Sequence, residues 1–166
     1  DAAYDLSQQL LSGPQDKPSI LQSYGVLLID MERNVEAIEA LNRAHELDGE
    51  NVIIQMNLAT ALTNAGEFDA ARDIYRNLMA QSPEVSEAFL HYTAITKMDK
   101  DDRLATTIMD RIDDTVDDKH KENLNYSLAK IYEDQHDFDT SFRYLSRAGA
   151  LHKRRIGYNE QANLNG

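Results

Sequence analysis

Apolar residues recur along this chain with the spacing of amphipathic helices. The stretch 51–83 shows this most clearly, because two apolar groups with helical spacing lie on either side of Gly66. These groups are Ile54, Leu58 and Leu62, then Ala71, Tyr75 and Leu78. Gly66 breaks the first pattern and Ser82-Pro83 ends the second, so the stretch predicts two antiparallel helices joined by a short turn. Such a pair cannot bury both apolar faces alone and therefore needs neighbours.

The same spacing predicts helices along the rest of the chain. Pro18 is a favourable residue for a first helical turn, and Asp48-Gly49 closes the helix that carries Leu41. Polar segments with turn residues separate the other apolar stretches. We expect helices over 2–11, 18–30, about 35–47, 85–98, 104–114, about 119–132 and 138–155. The last residues, 157–166, have turn and polar composition and predict a frayed tail.

Small residues recur at a fixed interval in these helices. Two columns keep a spacing of 34 residues and then make one step of 36 residues. The columns are Gly25, Ala59, Thr93 and Ala129, and Ala37, Ala71, Ala105 and Ser141. The larger residues Leu41, Tyr75, Met109 and Leu145 keep the same register. Small residues at matching places allow two paired helices to cross closely, so we expect each column to mark a crossing.

A period near 34 residues with two helices per unit resembles the tetratricopeptide repeat. The resemblance implies an all-α, right-handed solenoid of about four helix-turn-helix units. It places repeats at 18–50, 51–84, 85–118 and 119–155 within a domain of 1–158, preceded by a remnant helix at 2–12 and followed by a tail or linker at 159–166. Because this remnant fits the second helix of an earlier unit, and because the chain has no initiating Met, we expect an excised piece of a longer protein.

The turns of the repeats differ in their residues. Lys100 stands where the second unit has Gly66, so we expect a looser turn in the third unit. Phe68 and Phe138 follow the turns of their units and are expected to cover the ends of the helix pairs.

The resemblance also implies a concave groove lined by the first helix of each pair. The groove positions mix apolar, amide and cationic side chains: Gln22, Val26, Met56, Asn57, Thr60, Asn64, Leu90, His91, Lys97, Tyr126 and Lys130. This mixture could accept a peptide or a helix of a protein partner. The alternative is a solvated groove, or one covered by another part of the full protein.

One subclass of tetratricopeptide repeats binds acidic C-terminal tails through a carboxylate clamp. The clamp would require Lys and Asn at Gln22 and Val26, Asn at Asn57, and Lys and Arg at Glu87 and His91. Only Asn57 fits, and Glu87 would repel a carboxylate, so this binding mode is not expected.

The charge of the chain limits its partners further. A formal net charge of −12 disfavours nucleic acid and anionic membrane surfaces. No apolar run is long enough to span a membrane, and the N-terminus lacks the pattern of a signal peptide, so we expect a cytoplasmic protein.

The sequence shows no motif for catalysis, for a metal or for a cofactor. It has no Cys, and none of its five His residues pairs with another at ligand spacing. The run 113–118 lacks the Gly and the closing Glu of an EF-hand loop, and it predicts a solvated connection. Phosphate-binding loops, dinucleotide turns and nucleophile elbows are also missing. We therefore expect a non-catalytic segment without cofactors.

The C-terminal part carries a second resemblance. Residues 124–159 look like the last repeat and linker of bacterial proteins that join tetratricopeptide repeats to a sulfotransferase domain. The residues that carry it are Leu128-Ala129-Lys130, Tyr132-Glu133-Asp134, Phe138-Asp139, Phe142, Ala148 to Leu151, Lys153-Arg154-Arg155 and Tyr158. The resemblance implies a sulfotransferase domain in cis, which would bind its donor through a cradle of Arg, Ser, Gly and Thr. This chain contains no such cradle.

The cations of the last helix allow two interpretations. Arg143, Arg147 and the run 153–155 lie in an otherwise acidic chain. They either complement the dipole at the C-terminus of the helix or face an anionic surface or a following domain.

Three classes of function stay open at this point. The first is a binding module for a protein segment, the second is part of a transferase that acts with a downstream catalytic domain, and the third is a self-associating structural module.

Overall fold

Most helices begin and end near the residues that the pattern predicts. The computed structural model describes residues 17–164, with side chains as far as Gly157, and every regular element in that range is an α-helix. The helices are α1 Pro18–Asp30, α2 Asn34–Leu47, α3 Val52–Asn64, α4 Phe68–Gln81, α5 Ser86–Ile95, α6 Leu104–Ile112, α7 Asp118–Asp134 and α8 Phe138–Leu164. The predicted helix at 2–11 lies outside the described residues. The chain divides into two compact units, Asp1–Leu78 and Met79–Gly166.

The first unit is built around the contacts of α2 with α1 and α3. Its main core cluster contains Leu28, Ala37, Ala40, Leu41, Leu58 and Ala61. Pro18 stands in the first turn of α1, where a missing backbone N–H loses no hydrogen bond. Asn51 caps α3, since its side-chain oxygen accepts hydrogen bonds from the backbone N–H groups of Ile53 at 3.1 Å and Ile54 at 3.3 Å.

The crossing of α1 and α2 is as close as the small-residue column predicts. A Cβ atom at Gly25 would lie 2.5 Å from Cγ of Leu41, and Leu41 is fully buried. The small residues of the second unit also bring two paired helices close together. There the hydroxyl of Ser141 donates a hydrogen bond to the carbonyl of Ala129 at 2.8 Å.

Three turns share one backbone conformation at matching positions of the repeat. Glu32, Gly66 and His136 have φ angles of 59°, 83° and 62°, in the left-handed region. In each turn the next N–H donates across the turn at 2.9 Å: Arg33 to Leu28, Glu67 to Leu62, and Asp137 to Tyr132. Gly66 adopts this conformation without strain, whereas Glu32 and His136 adopt it with a side chain. The repeated geometry confirms the register of these turns.

The turn of the third unit is looser, as expected. Helix α5 ends at Ile95, earlier than the predicted Met98, and Thr96 is extended. Met98 is nevertheless buried, and its N–H donates to the carboxylate of Asp134 at 3.1 Å. A contact with α7 therefore fixes this segment outside any helix.

In the second unit α7 packs against α5, α6 and α8. Its core includes Phe89, Ile108, Leu128 and Ile131, and Tyr132 stacks on Tyr144 with ring centroids 5.6 Å apart. Within the run 113–118, Asp117 caps α7 by accepting a hydrogen bond from the N–H of His120 at 2.9 Å. That bond lowers the pKa of the Asp117 carboxyl.

Several expectations about side chains and helix ends are wrong. Phe68 and Phe138 do not cover the helix pairs: they are 47% and 63% exposed, because each begins its helix and lies at the edge of the pair. Helix α6 ends at Ile112 rather than at 114. Helix α8 continues to Leu164 through the predicted turn at 157, since one Gly weakens a helix by only about 1 kcal/mol and does not end it.

Candidate partner-binding surfaces

The predicted groove residues of the first unit lie on α1 and α3, which are in contact. We call them the first-unit face: Gln22, Val26, Met56, Asn57, Thr60 and Asn64. Asn64 is exposed, and the other side chains are half-buried. They are thus not part of the core, although they stand beside it.

The polar groups of the first-unit face differ in what they can offer a ligand. The hydroxyl of Thr60 already donates to the carbonyl of Met56 at 2.9 Å, within α3. The side-chain amides of Asn57 and Asn64 make no hydrogen bond to another described residue. The face therefore combines an apolar side chain, Met56, with amides that can pair with a peptide backbone.

The corresponding residues of the second unit lie on α5 and α7. We call Leu90, His91, Tyr126 and Lys130 the second-unit face. Leu90, Tyr126 and Lys130 are half-buried and His91 is exposed. Lys97 was expected beside them, but it lies beyond the end of α5, in the non-helical segment.

A buried hydrogen bond positions the two helices of the second-unit face. The amide of Asn123 on α7 donates to the hydroxyl of Ser86 on α5 at 3.0 Å, and both side chains are buried. Beside this bond, the ammonium of Lys119 lies 2.8 Å from a carboxylate oxygen of Glu87. The two contacts join the start of α5 to the start of α7.

The charges around the second-unit face are largely paired. Burial would raise the pKa of Glu87, but the hydrogen bond and positive charge of Lys119 outweigh it and lower the pKa below its usual value. Although His91 is exposed overall, the protein around it shields it in part from water and thereby lowers its pKa, and the negative charge of Glu87 opposes this shift only in part. Lys130 forms an ion pair with Asp134 one turn further along α7. Such a surface favours apolar and neutral polar contacts over the binding of a bare carboxylate, in line with the mismatch to the clamp pattern.

Sequence reasoning missed a polar network between α7 and α8. The guanidinium of Arg154 makes two hydrogen bonds to Asp118, at 2.9 Å and 2.6 Å. The buried carboxylate of Glu122 lies 2.7 Å from Nδ1 of His152 and 3.2 Å from Nε of Arg155. The sequence contained a signal for this contact. Asp118 and Arg154 are equally far along the chain from His136, the residue at the turn, so two antiparallel helices joined at that turn bring them together.

This network changes the interpretation of the C-terminal cations. Because α8 extends to Leu164, the run 153–155 does not lie in its last turn, and the dipole explanation is wrong. Arg154 and Arg155 are engaged with α7. Arg147 lies over the ring of Tyr144, with 5.3 Å between its Cζ and the ring centroid.

Other kinds of site find little support in the described residues. A cavity of about 290 Å³ lies where α5 and α7 begin and α6 ends. Its wall mixes Arg111 and His120 with three carboxylates, so it selects no single charge of ligand. Between residues 17 and 157 no group of three His, Asp or Glu side chains could hold a metal ion. None of the described helices combines the length and the apolar character needed to cross a membrane.

Comparisons with known proteins agree with this architecture. Residues 28–95 match the tetratricopeptide repeat family. A protein of Aquifex aeolicus (strain VF5), described as an uncharacterized protein, is 22% identical over 144 residues. That match covers 87% of this chain, whereas the chain spans only 19% of that relative's length.

Solved structures of MamA are similar in fold. One, a crystal structure of MamA, has a TM-score of 0.64 at 17% identity, and the match covers 92% of this chain and 88% of that one. Another, a MamA RS-1 ArsTM double mutant, has a TM-score of 0.64 at 10% identity, covering 93% and 85%. At such identities the likeness shows the fold alone. Together with the match of residues 28–95, it confirms an all-α fold of the tetratricopeptide-repeat solenoid class.

Proposed function

We propose that this chain is a non-catalytic protein interaction scaffold. A peptide or an extended segment of a partner protein binds along the first-unit face, along the second-unit face, or along both. Repeat proteins of this kind bind through the surfaces that their stacked first helices present. Neither nucleic acid nor membrane is the expected partner, because the net charge is −12.

One column of the repeat carries this proposal. Gln22, Met56, Leu90 and Tyr126 stand at equivalent positions of the four predicted repeats, and each is half-buried. The neighbouring position three residues further on holds Gly25, Ala59, Thr93 and Ala129, and each of these is buried. The large side chains of the first column lie outside the buried core, so they are available to contact a ligand.

The chemistry of the two faces indicates the kind of segment. Met56, Leu90 and Tyr126 offer apolar contacts, and Tyr adds a hydroxyl that can pair with a backbone carbonyl. Asn57 and Asn64 can donate to and accept from a peptide group. We therefore expect a ligand with apolar anchors and a backbone accessible to hydrogen bonding.

The test is affinity capture followed by binding measurements on the captured partner. Asn57→Ala combined with Lys130→Ala, and Tyr126→Ala alone, should each weaken binding about tenfold or more if they remove central contacts. Asn77→Ala, an exposed position on α4 outside both faces, is the matched control and should bind normally. Unchanged affinity in both face variants, with correct folding by circular dichroism, would count against the proposal.

A finer identity rests on the C-terminal resemblance. We also propose that the chain is the tetratricopeptide region of a sulfotransferase-type protein, with the catalytic domain following in cis. The likeness of residues 124–159 supports this, and the comparisons above do not bear on it. The coding sequence after the Gly166 codon tests it: a strand-loop-helix cradle with Arg, Ser, Gly and Thr is expected, and its absence would refute this identity.

A further inference from the structure

A cavity of about 290 Å³ lies within the second unit, where the starts of α5 and α7 meet the end of α6. Ligand pockets in proteins usually have volumes of about 300–1,000 Å³, so this cavity is at the small end of the range. It admits a molecule of the size of a single amino acid rather than a long segment of a partner. None of its wall residues belongs to the first-unit face or to the second-unit face.

Arg111 supplies a positive charge to this wall that no carboxylate of the described residues neutralises. Its guanidinium lies over the ring of Phe89, with 5.6 Å between Cζ and the ring centroid. Because Phe89 is fully buried, its ring is a fixed support for the half-buried side chain of Arg111. The guanidinium makes no hydrogen bond or ion pair with another described residue. Its N–H groups therefore remain able to hold a carboxylate through two parallel hydrogen bonds.

The carboxylates of the wall are exposed and only partly engaged. Asp117 caps α7 and accepts the hydrogen bond of the His120 N–H at 2.9 Å. The carboxylates of Glu84 and Asp114 make no hydrogen bond or ion pair with a described residue. Unpaired charges of both signs thus line one cavity without neutralising each other. A ligand with a single charge would meet a like charge there, whereas a ligand that bears both charges can pair with both.

The places of Arg111 and Asp114 in the chain limit the distance between the two charges of such a ligand. Arg111 lies in the last turn of α6, and the N–H of Asp114 donates to the carbonyl of Arg111 at 3.2 Å. Residues three apart in a helical turn have Cβ atoms about 5–6 Å apart. The ammonium and the carboxylate of an α-amino acid are carried by one carbon atom, so they match two side chains that begin this close together.

The wall also has an apolar part. Val116 is 92% exposed although it lines the cavity, and Leu124, which also lines it, is buried. A ligand with an apolar side chain would cover Val116 and remove apolar surface from water. The expected ligand therefore combines two opposite charges with an apolar group.

We propose that this cavity binds a free α-amino acid with an apolar side chain. The guanidinium of Arg111 pairs with the carboxylate of the ligand, and the carboxylate of Asp114 pairs with its ammonium. The side chain of the ligand packs against Val116 and Leu124. This site is separate from the surfaces proposed to bind a partner protein, so either proposal can fail without the other.

L-leucine and three of its analogues test the proposal. Isocaproate lacks the ammonium, isoamylamine lacks the carboxylate, and N-acetyl-leucine amide lacks both charges. Each probe is titrated into the chain while NMR follows the backbone amides of Thr115 and His120, two residues of the cavity wall. Leucine should bind at least about tenfold more tightly than each analogue, because only leucine pairs with both charges.

Substitutions in the wall assign the two charges. Arg111→Met and Asp114→Asn should each weaken leucine binding at least about tenfold, and Asp114→Asn should also remove the advantage of leucine over isocaproate. Arg111→Lys keeps the charge and should bind leucine more tightly than Arg111→Met. Arg103→Met, at an exposed residue just before α6 and outside the cavity, is the matched control and should bind normally. If Arg111→Met does not fold by circular dichroism, Asp114→Asn and the analogues decide.

The outcomes that would overturn the proposal are distinct from one another. One is the absence of any change in these amide signals at leucine concentrations up to about 10 mM. Equal binding of isocaproate would make the cavity an anion site, and equal binding of N-acetyl-leucine amide would make it a site for a peptide segment. Unchanged leucine affinity in folded Asp114→Asn and Arg111→Met would show that these charges do not hold the ligand.

Discussion

Gly25→Ala gives the sharpest test of the helix packing. The added Cβ would lie 2.5 Å from Cγ and 2.8 Å from Cδ2 of Leu41. Leu41 cannot turn away, because it is fully buried and Cγ is the branch point of its side chain. An overlap as short as 2.5 Å lies in the upper part of the usual cost of overpacking, at about 2–3 kcal/mol, while the higher helix propensity of Ala returns about 1 kcal/mol. We expect a net loss of about 1–2 kcal/mol in the free energy of unfolding of the whole chain.

Thermal melting followed by circular dichroism measures this loss. For a domain of this size each kcal/mol lowers the Tm by about 2–4 °C. Gly149→Ala on α8 is the matched control, because its added Cβ would meet nothing within 4 Å. This second substitution should stabilise the protein by about 0.5–1 kcal/mol, so that the same chemical change has opposite signs at the two positions.

A double-mutant cycle identifies the contact responsible. Leu41→Ala alone should cost about 2–5 kcal/mol, as for other buried Leu residues. In that background Gly25→Ala should no longer destabilise, because its Cβ has the space that the Leu side chain vacates. If Gly25→Ala proves neutral or stabilising in the wild-type background, or if its cost persists without Leu41, the close crossing is refuted.

Three further outcomes follow from local contacts. Asn51→Ala should lower the free energy of unfolding by about 1 kcal/mol through loss of the α3 cap, as measured by urea unfolding; an unchanged midpoint would contradict the cap. Asp134→Ala should speed hydrogen exchange of the Met98 amide, because that N–H loses its acceptor; unchanged exchange would show that another group holds the segment. Since the pKa of Glu87 is lowered on folding, the ion pair with Lys119 stabilises above the unfolded pKa of about 4.5 and is lost as the pH falls through the folded pKa. Glu87→Gln should therefore reduce the loss of stability on acidification below about pH 4.5, and an unaltered acid profile would oppose this assignment.

The parts of the fold that the sequence predicts are those set by local periodicity. Burial of Leu41, Tyr75 and Leu78 follows from helical spacing, and the close approach at Gly25 follows from its place in a column of small residues. These features depend on which face of a helix a residue occupies, and the order of residues along the chain decides that directly.

The parts of the fold that the sequence did not predict depend on contacts between residues that are far apart in the chain. Helix α5 stops early where Asp134, 36 residues beyond Met98, accepts the Met98 N–H. Arg154 binds Asp118 because α7 and α8 are antiparallel, a placement that follows from the spacing of the two residues on either side of His136. The cationic composition of the last helix, taken alone, suggested an interaction with the helix dipole instead. Leu145 occupies the same column as Leu41, yet it is 48% exposed, so the repeat column alone does not decide burial.

The position of the bound partner is the most direct test of the scaffold proposal. A photo-reactive phenylalanine derivative in place of Tyr126, and separately in place of Asn77, can be cross-linked in cells that express the full-length protein. Mass spectrometry of the products then identifies the residues joined. We predict that position 126 yields one recurring segment of a protein partner, with apolar residues at the point of attachment, and that position 77 does not. Cross-links from position 77 to the same segment, or none from position 126 while the captured partner is present, would contradict binding at the second-unit face.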